Sequence, residues 1–227
     1  MPVDIIWHGH STFEMRTDNY TVLIDPFFTG NPLASIAANL VLADYILVTH
    51  GHGDHIGDAV EIAARTGATI IANFEICNWI AAKSKVKVHP QHIGGGFNHP
   101  FGYVKMTIAH HGSALPDGSY GGNPGGYLIT VGKIKIYFAG DTGLFLSMQL
   151  YGDEGIDAAF LPIGDNFTMG PDDALRAVHL LRPRVVVPIH FGTWPVINQS
   201  VDEWKKRVES ETGSACNILK PGQKITI

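Results

Sequence analysis

The sequence predicts a layered α/β domain, and two patterns carry that prediction: short apolar runs alternate with segments of helical character, and many of the runs are continuous rather than alternating. A strand that is apolar at nearly every position is covered on both faces, which places helices outside a central sheet. Nine runs read as strands, at residues 3–7, 21–24, 45–49, 69–72, 104–109, 127–131, 134–138, 158–162 and 185–189. Helices are expected over 58–66, 75–83, 171–181 and 201–212. Pro171 suits the first position of its helix, where a missing N–H costs nothing, and Asp172 and Asp173 complement the positive end of the helix dipole. The Gly-rich stretch 117–126 around Tyr120 reads as a mobile loop or as a wide hairpin connection, and it lacks the Lys and Ser/Thr register of a phosphate cradle. No Ser/Gly linker or charge block divides the chain, so residues 1–227 are expected to form a single domain.

Composition narrows the functional classes. With 16 Lys plus Arg against 21 Asp plus Glu the net charge is −5, and the longest basic run is Lys205-Lys206-Arg207. Nonspecific nucleic-acid binding draws its affinity from neutralised phosphates, so no nucleic-acid partner is expected. No apolar stretch approaches the 18 or so residues of a membrane span, and the opening residues lack the basic head and apolar run of a signal peptide. The expectation is a cytoplasmic protein without a membrane partner. Cys77 and Cys216 lie far apart in no C-x-x-C pattern, and read as reduced, buried and inert thiols.

The chain also holds 12 His, and their spacing decides the function class. Thr49-His50-Gly51-His52-Gly53-Asp54-His55 follows one expected strand and precedes a helix. Imidazole and carboxylate are the donors that Zn²⁺, Mn²⁺ or Fe²⁺ prefer. Alternate residues of an extended strand end point the same way, so His50 and His52 can grip one metal while Asp54 and His55, at the turn into the helix, face a second. Three further candidates each close an apolar run: His111, Asp141 and His190. Strand-end loops are where α/β folds carry their chemistry.

This H-x-H-x-D-H string, with His111, Asp141 and His190 spaced after it, resembles the metallo-β-lactamase-fold superfamily. Ile24-Asp25-Pro26, Ala139-Gly140-Asp141-Thr142, the stretch 162–171 and Pro188-Ile189-His190 are similar to its metal-dependent hydrolase branch, related to L-ascorbate-6-phosphate lactonase. The resemblance spans nearly the whole chain. It implies a four-layer αββα sandwich with the site along one edge, His50, His52 and His111 on one metal, Asp54, His55 and His190 on another, and Asp141 bridging them. His110 competes with His111; Gly112-Ser113 after His111 matches the family's His-Gly-Ser. Antibiotic-hydrolysing members of the fold, several of which carry Cys where Asp141 stands, are a poorer match, so β-lactam hydrolysis is not the implied reaction.

The expected activity is therefore metal-dependent hydrolysis of a small-molecule ester, lactone or phosphorylated substrate by a hydroxide shared between two divalent ions, zinc first with manganese or iron as alternatives. Asp54 is expected to steer that hydroxide. No G-x-S-x-G elbow offers a nucleophile instead. A phosphodiesterase or nuclease of the same fold is the rival reading, and a non-catalytic metal-binding protein a second. His10 is expected in the pocket, as proton donor to the leaving group or as holder of a substrate anion; His8 reads as structural. Asp25 is read either as orienting a ligand His or as starting a turn, and Asp165 and Asn166 either as facing the substrate or as capping a helix. His89, His92, His99 and His179 read as solvated or core residues. A homo-oligomer is compatible with the sequence.

Overall fold

The computed structural model describes residues 2–227. In chain order the strands are β1 (Asp4–Trp7), β2 (Phe13–Arg16), β3 (Thr21–Ile24), β4 (Tyr45–Leu47), β5 (Thr69–Asn73), β6 (Lys87–Gln91) and β7 (Gly96–His99). They continue with β8 (Gly102–Ile108), β9 (Gly125–Val131), β10 (Ile134–Phe138), β11 (Ala158–Pro162), β12 (Val185–Ile189), β13 (Ala215–Cys216) and β14 (Lys224–Thr226). Two seven-stranded mixed sheets result, ordered β14-β1-β2-β3-β4-β5-β6 and β13-β12-β11-β10-β9-β8-β7. The helices are α1 (Gly53–Ile56), α2 (Ala59–Thr66), α3 (Phe74–Lys83), α4 (Met148–Gly152), α5 (Pro171–Leu181) and α6 (Val201–Glu211).

Three apolar layers separate four structural layers. Trp7, Phe13, Leu47, Phe138 and Phe160 belong to the core between the two sheets. Leu23, Ile46, Ile62 and Ile76 join the first sheet to α2 and α3, while Tyr137, Leu161, Leu175 and Trp204 join the second to α4, α5 and α6. The period of two explains how single strands serve two cores. In β10, Ile136 and Phe138 face the other sheet and Tyr137 faces the helices; in β11, Ala158 and Phe160 face inward and Ala159 and Leu161 outward. This is the expected αββα sandwich.

The strands that the apolar pattern misses are mostly those that do not bury both faces. β6 (Lys-Val-His-Pro-Gln), β7, β13 and β14 lie at sheet edges and are short or polar, and β2 carries the buried Glu14. The stretch 117–126 lies in the connection between the antiparallel β8 and β9, as the hairpin reading expects, and neighbouring side chains tie it down. Asn73 Nδ2 donates to the Gly121 and Asn123 carbonyls at 2.6 and 3.1 Å, Ser113 Oγ donates to Gly121 at 2.9 Å, and Trp79 Nε1 donates to Asp117 at 2.7 Å.

Strand direction places the chemistry. β1, β3 and β4 run in one sense in the first sheet, and β8, β10, β11 and β12 run in one sense in the second. The C-terminal ends of β1 and β12 meet across the sandwich, where the His190 N–H donates to the His10 carbonyl at 3.2 Å.

Phe160 is buried between the sheets, with ring centroids 4.8 Å from Phe13 and 5.8 Å from Phe138. Phe160→Ala is expected to lower unfolding free energy by about 3–5 kcal/mol, the cost of a large core cavity. Urea denaturation checks this, and a loss below about 1 kcal/mol would show that the sheets do not depend on that ring for packing.

Candidate metal centre

The site is assembled where strands end abruptly. His10, Asp25 and His190 each adopt left-handed backbone, with φ of 55°, 46° and 53°. Non-glycine residues occupy that region only where the surroundings enforce it. Gly140, at φ 63°, allows a close approach: a Cβ there would lie 2.9 Å from the Gly125 carbonyl oxygen and 3.0 Å from Thr49 Cβ. The loop carrying Asp141 can therefore press against the loop carrying the His50 to His55 string.

A fully buried Asp25 organises the first sheet's contribution. Its Oδ1 accepts the Thr49 N–H at 2.8 Å and its Oδ2 accepts the Thr49 hydroxyl at 2.7 Å and His55 Nδ1 at 2.8 Å. With the Thr49 proton directed to Asp25, Thr49 Oγ1 can only accept from His50 Nδ1, 3.0 Å away. The proton of each ring is thus placed on Nδ1, so that Nε2 of His50 and of His55 faces into the site. His50 Nε2 lies 3.0 Å from His52 Nδ1. The Asp25 carboxylate thus holds His55 directly and His50 through Thr49, while its carbonyl accepts the Phe27 N–H at 2.8 Å in the turn that follows.

Asp141 stands at the centre. Its Oδ2 is 3.0 Å from His190 Nε2, 3.2 Å from His55 Nε2 and 3.6 Å from His111 Nε2. His10 Nε2 lies 3.2 Å from Asp54 Oδ2, and His55 Nε2 lies 3.9 Å from the same oxygen. Buried donors and acceptors here lack ordinary partners: His55 Nε2 and Asp141 Oδ1 form no hydrogen bond. Nε2 of His55 is aimed at two carboxylates, a placement that calls for positive charge at that nitrogen, a proton in the metal-free ring or a cation in its place. The donor set of imidazole and carboxylate thus fits borderline divalent metals. Donor atoms of His50, His52 and His111 fall within 4.8 Å of one another, as do those of His10, Asp54, His55 and His190, and those of His50, His55 and Asp141.

The electrostatics agree with that fit. Burial, reinforced by the charge of His55, drives the His50 imidazole well below its ordinary range, and burial lowers His111 too, so both rings are neutral and able to donate a lone pair. Burial works to raise Asp141, but His190 and His55 outweigh it and hold the carboxyl well below the usual range. Asp54 is likewise held low, burial being overcome by the hydrogen bond from His10 and the charge of His55.

A cavity of about 630 Å³ opens over this cluster. Its floor includes His52, Asp54, His111, Asp141 and His190, and its rim is Phe167, Trp194 and Val196. His111 is the residue brought to Asp141; His110 turns away, exposed, its ring 5.1 Å from that of Phe145. His10 departs from its expected contact with substrate. The ring is fully buried and pushed down to about 4 by burial, hence neutral, with Nε2 donating to Asp54 and Nδ1 accepting from the Thr193 hydroxyl at 2.8 Å. Neither nitrogen is left for a substrate atom. Asn166 is exposed and does not line the cavity; its neighbour Phe167 does, because the chain is left-handed at both Asp165 and Asn166. His8 bonds Ser35 and Glu14 away from the cavity. The rings of His89 and His99 pack with Phe97. Thr49, Thr193 and Trp194 went unnoticed in the sequence, where only the position of Thr49 directly before the His string marks it.

Residues 20–191 match the protein family described as the Beta-lactamase superfamily domain. A protein of Desulforamulus reducens named UPF0173 metal-dependent hydrolase is 50% identical over 224 residues, covering 96% of this chain and 97% of its own. One of the same name from Heliobacterium modesticaldum is 48% identical over 231 residues, covering 98% and 97%. The solved structure of Igni18, a metallo hydrolase of the archaeon Ignicoccus hospitalis, aligns at a TM-score of 0.91 and 35% identity, covering 100% of this chain and 99% of that one. Fold and site together define a metal-dependent hydrolase on the metallo-β-lactamase sandwich. The chain belongs to the beta-lactamase superfamily, among the UPF0173 metal-dependent hydrolases. No described helix is long and apolar enough to cross a membrane.

Asp25→Asn replaces an all-acceptor carboxylate with a group that must present N–H to at least one donor. Metal affinity is expected to fall about 10–100-fold, as for other residues that orient metal-binding His. Titration with a competing chelator measures this, and wild-type affinity in the variant would remove Asp25 from the orienting role.

Proposed function

We propose that the protein holds two divalent cations side by side and hydrolyses a small carboxylic ester or lactone. His50, His52 and His111 would hold one cation, Asp54, His55 and His190 the other, and Asp141 would lie between them. The observation that carries this reading is the convergence of three imidazole nitrogens on one Asp141 oxygen, at 3.0, 3.2 and 3.6 Å. One structural ion needs four donors, whereas seven converge here. Zinc suits the set first, with manganese or iron as alternatives. Bound there, such cations lower the pKa of water toward neutrality and polarise the acyl oxygen. Water then adds at the acyl carbon, the carbon–oxygen ester bond breaks, and the proton passes to the departing alcohol.

The chain's own groups position these events. Asp54 is ionised and faces the cavity, and His10 fixes its Oδ2, so the carboxylate can orient the attacking water. His10 acts through Asp54 and is a positioning residue. The thiols of Cys77 and Cys216 are buried and pushed up to about 12 by burial, which leaves neither as a nucleophile.

Elemental analysis of the purified protein is expected to find about two metal equivalents, and less in His52→Ala and Asp141→Ala. A panel of esters, lactones, phosphodiesters and phosphorylated sugars, run on the metal-loaded protein, tests the reaction. Full metal in both variants would overturn the ligand assignment, and turnover confined to phosphodiesters would overturn the substrate class.

Acid is expected to strip the site, and the sign follows from His55. Burial disfavours its proton, but Asp141 and Asp25 outweigh burial and hold the imidazole well above its ordinary range, so the metal-free ring keeps a proton on Nε2. Cation uptake displaces that proton, so affinity increases with pH and decreases as pH falls. Metal retained after dialysis should therefore drop between about pH 7 and pH 5, with proton release on reloading; equal retention across that range would contradict His-dominated binding.

A further inference from the structure

The rim of the cavity differs in character from its floor. Phe167 and Val196 are 55% and 54% exposed, although large apolar side chains in this chain are mostly buried. Trp194 sits beside them, its ring 5.0 Å from that of His10. Among the described residues lining the cavity, none is Lys or Arg.

The backbone holds these side chains where they are. Asp165 and Asn166 are consecutive left-handed residues, at φ 62° and 53°, a strained turn that sends Phe167 outward while Met169 is buried. The Asp165 side chain accepts the Asn166 N–H at 2.8 Å, and the Met169 N–H bonds the Thr142 carbonyl at 2.9 Å. On the facing loop the Gly192 N–H bonds the carbonyl of the fully buried Ile197 at 3.0 Å. The two loops brace each other. Gln199 Nε2 donates to the Gly164 carbonyl at 2.9 Å, and a Cβ at Gly164 would meet the His190 carbonyl oxygen at 2.1 Å. A strained, braced pair of loops presenting three apolar side chains at the mouth of a polar floor has the composition of a ligand site: apolar walls and a few convergent polar groups.

We infer that this rim recognises a hydrocarbon group of the substrate, so that the substrate is an uncharged ester or lactone carrying an alkyl or aryl chain. The inference rests on the ester-hydrolysis reading for the scissile bond, and on the rim alone for the chain. A phosphate or sugar phosphate extending outward from the floor would meet apolar carbon and no cationic side chain.

Calorimetry of the metal-loaded protein with unbranched alkyl carboxylates, from acetate to octanoate, reads the rim without requiring turnover. Affinity is expected to rise about two- to fourfold per added methylene until the chain outgrows the rim, as apolar burial predicts. Phe167→Ala and Val196→Ala should each flatten this dependence, with metal content at wild-type level as the loading control. The same order should appear in kcat/KM for the matching esters. A flat chain-length dependence in the wild type, or variants that keep the full dependence, overturns the inference. So does a Phe167→Ala protein that keeps it while a homo-oligomer dissociates in sedimentation, because the rim would then be covered by a second copy. Failure of the hydrolysis reading looks different: no ester turns over in fully loaded protein, while the chain-length dependence of binding persists.

Discussion

The carboxylate of Asp25 is the interaction on which the site depends. It is buried without a cationic Lys or Arg partner, a placement that is costly unless every lone pair is used. Here it receives a backbone N–H, a hydroxyl and an imidazole N–H, all at 2.7 to 2.8 Å. Those three bonds fix the proton on the outer nitrogen of His55 directly, and on that of His50 through Thr49. The inner nitrogens face Asp141, that of His50 as a lone pair and that of His55 once its proton is displaced. One buried negative charge thereby determines which atoms the protein offers to a metal, before any metal is present.

The same logic runs on the opposite side through a neutral group. Burial holds the His10 ring uncharged, so it can donate at only one nitrogen, and Asp54 receives that bond. Thr193 satisfies the other nitrogen from the loop that also carries Trp194. Asp54, projecting from α1 in the first sheet's half, is thus held by a residue that is itself fixed by the second sheet's half. Closing the sandwich and completing the site are one event, which is why strained left-handed backbone at His10 and His190 is tolerated there.

Between the floor and the rim the character of the site changes over one or two residues. Asp165 and Asn166 are the polar residues that draw attention in the stretch 162–171, yet their role is to bend the backbone. Phe167, apolar and inconspicuous in sequence, is the residue at the cavity. The positions of chemistry and of shape are therefore interleaved along one loop and separated only by the direction in which φ turns each side chain.

Much of this protein was legible in its sequence because the relevant signals are local. A strand covered on both faces needs an unbroken apolar run, and β4, β11 and β12 have one; a metal-binding loop needs His and Asp at close spacing, and residues 50–55 have them. Edge strands such as β6 and β13 bury too little for any pattern to show. The choice of His111 over His110, the pairing of His10 with Asp54 and Thr193, and the placement of Phe167, Trp194 and Val196 at the cavity were decided only by the tertiary structure. Each depends on residues 30 to 183 positions apart, either on one sheet, as for His111 and Asp141, or across the two, as in the His10 to Thr193 bond with its separation of 183. Periodicity records which way a residue faces on its own strand; it holds no record of what the other sheet places opposite, and that placement is set by the packing of the core between them.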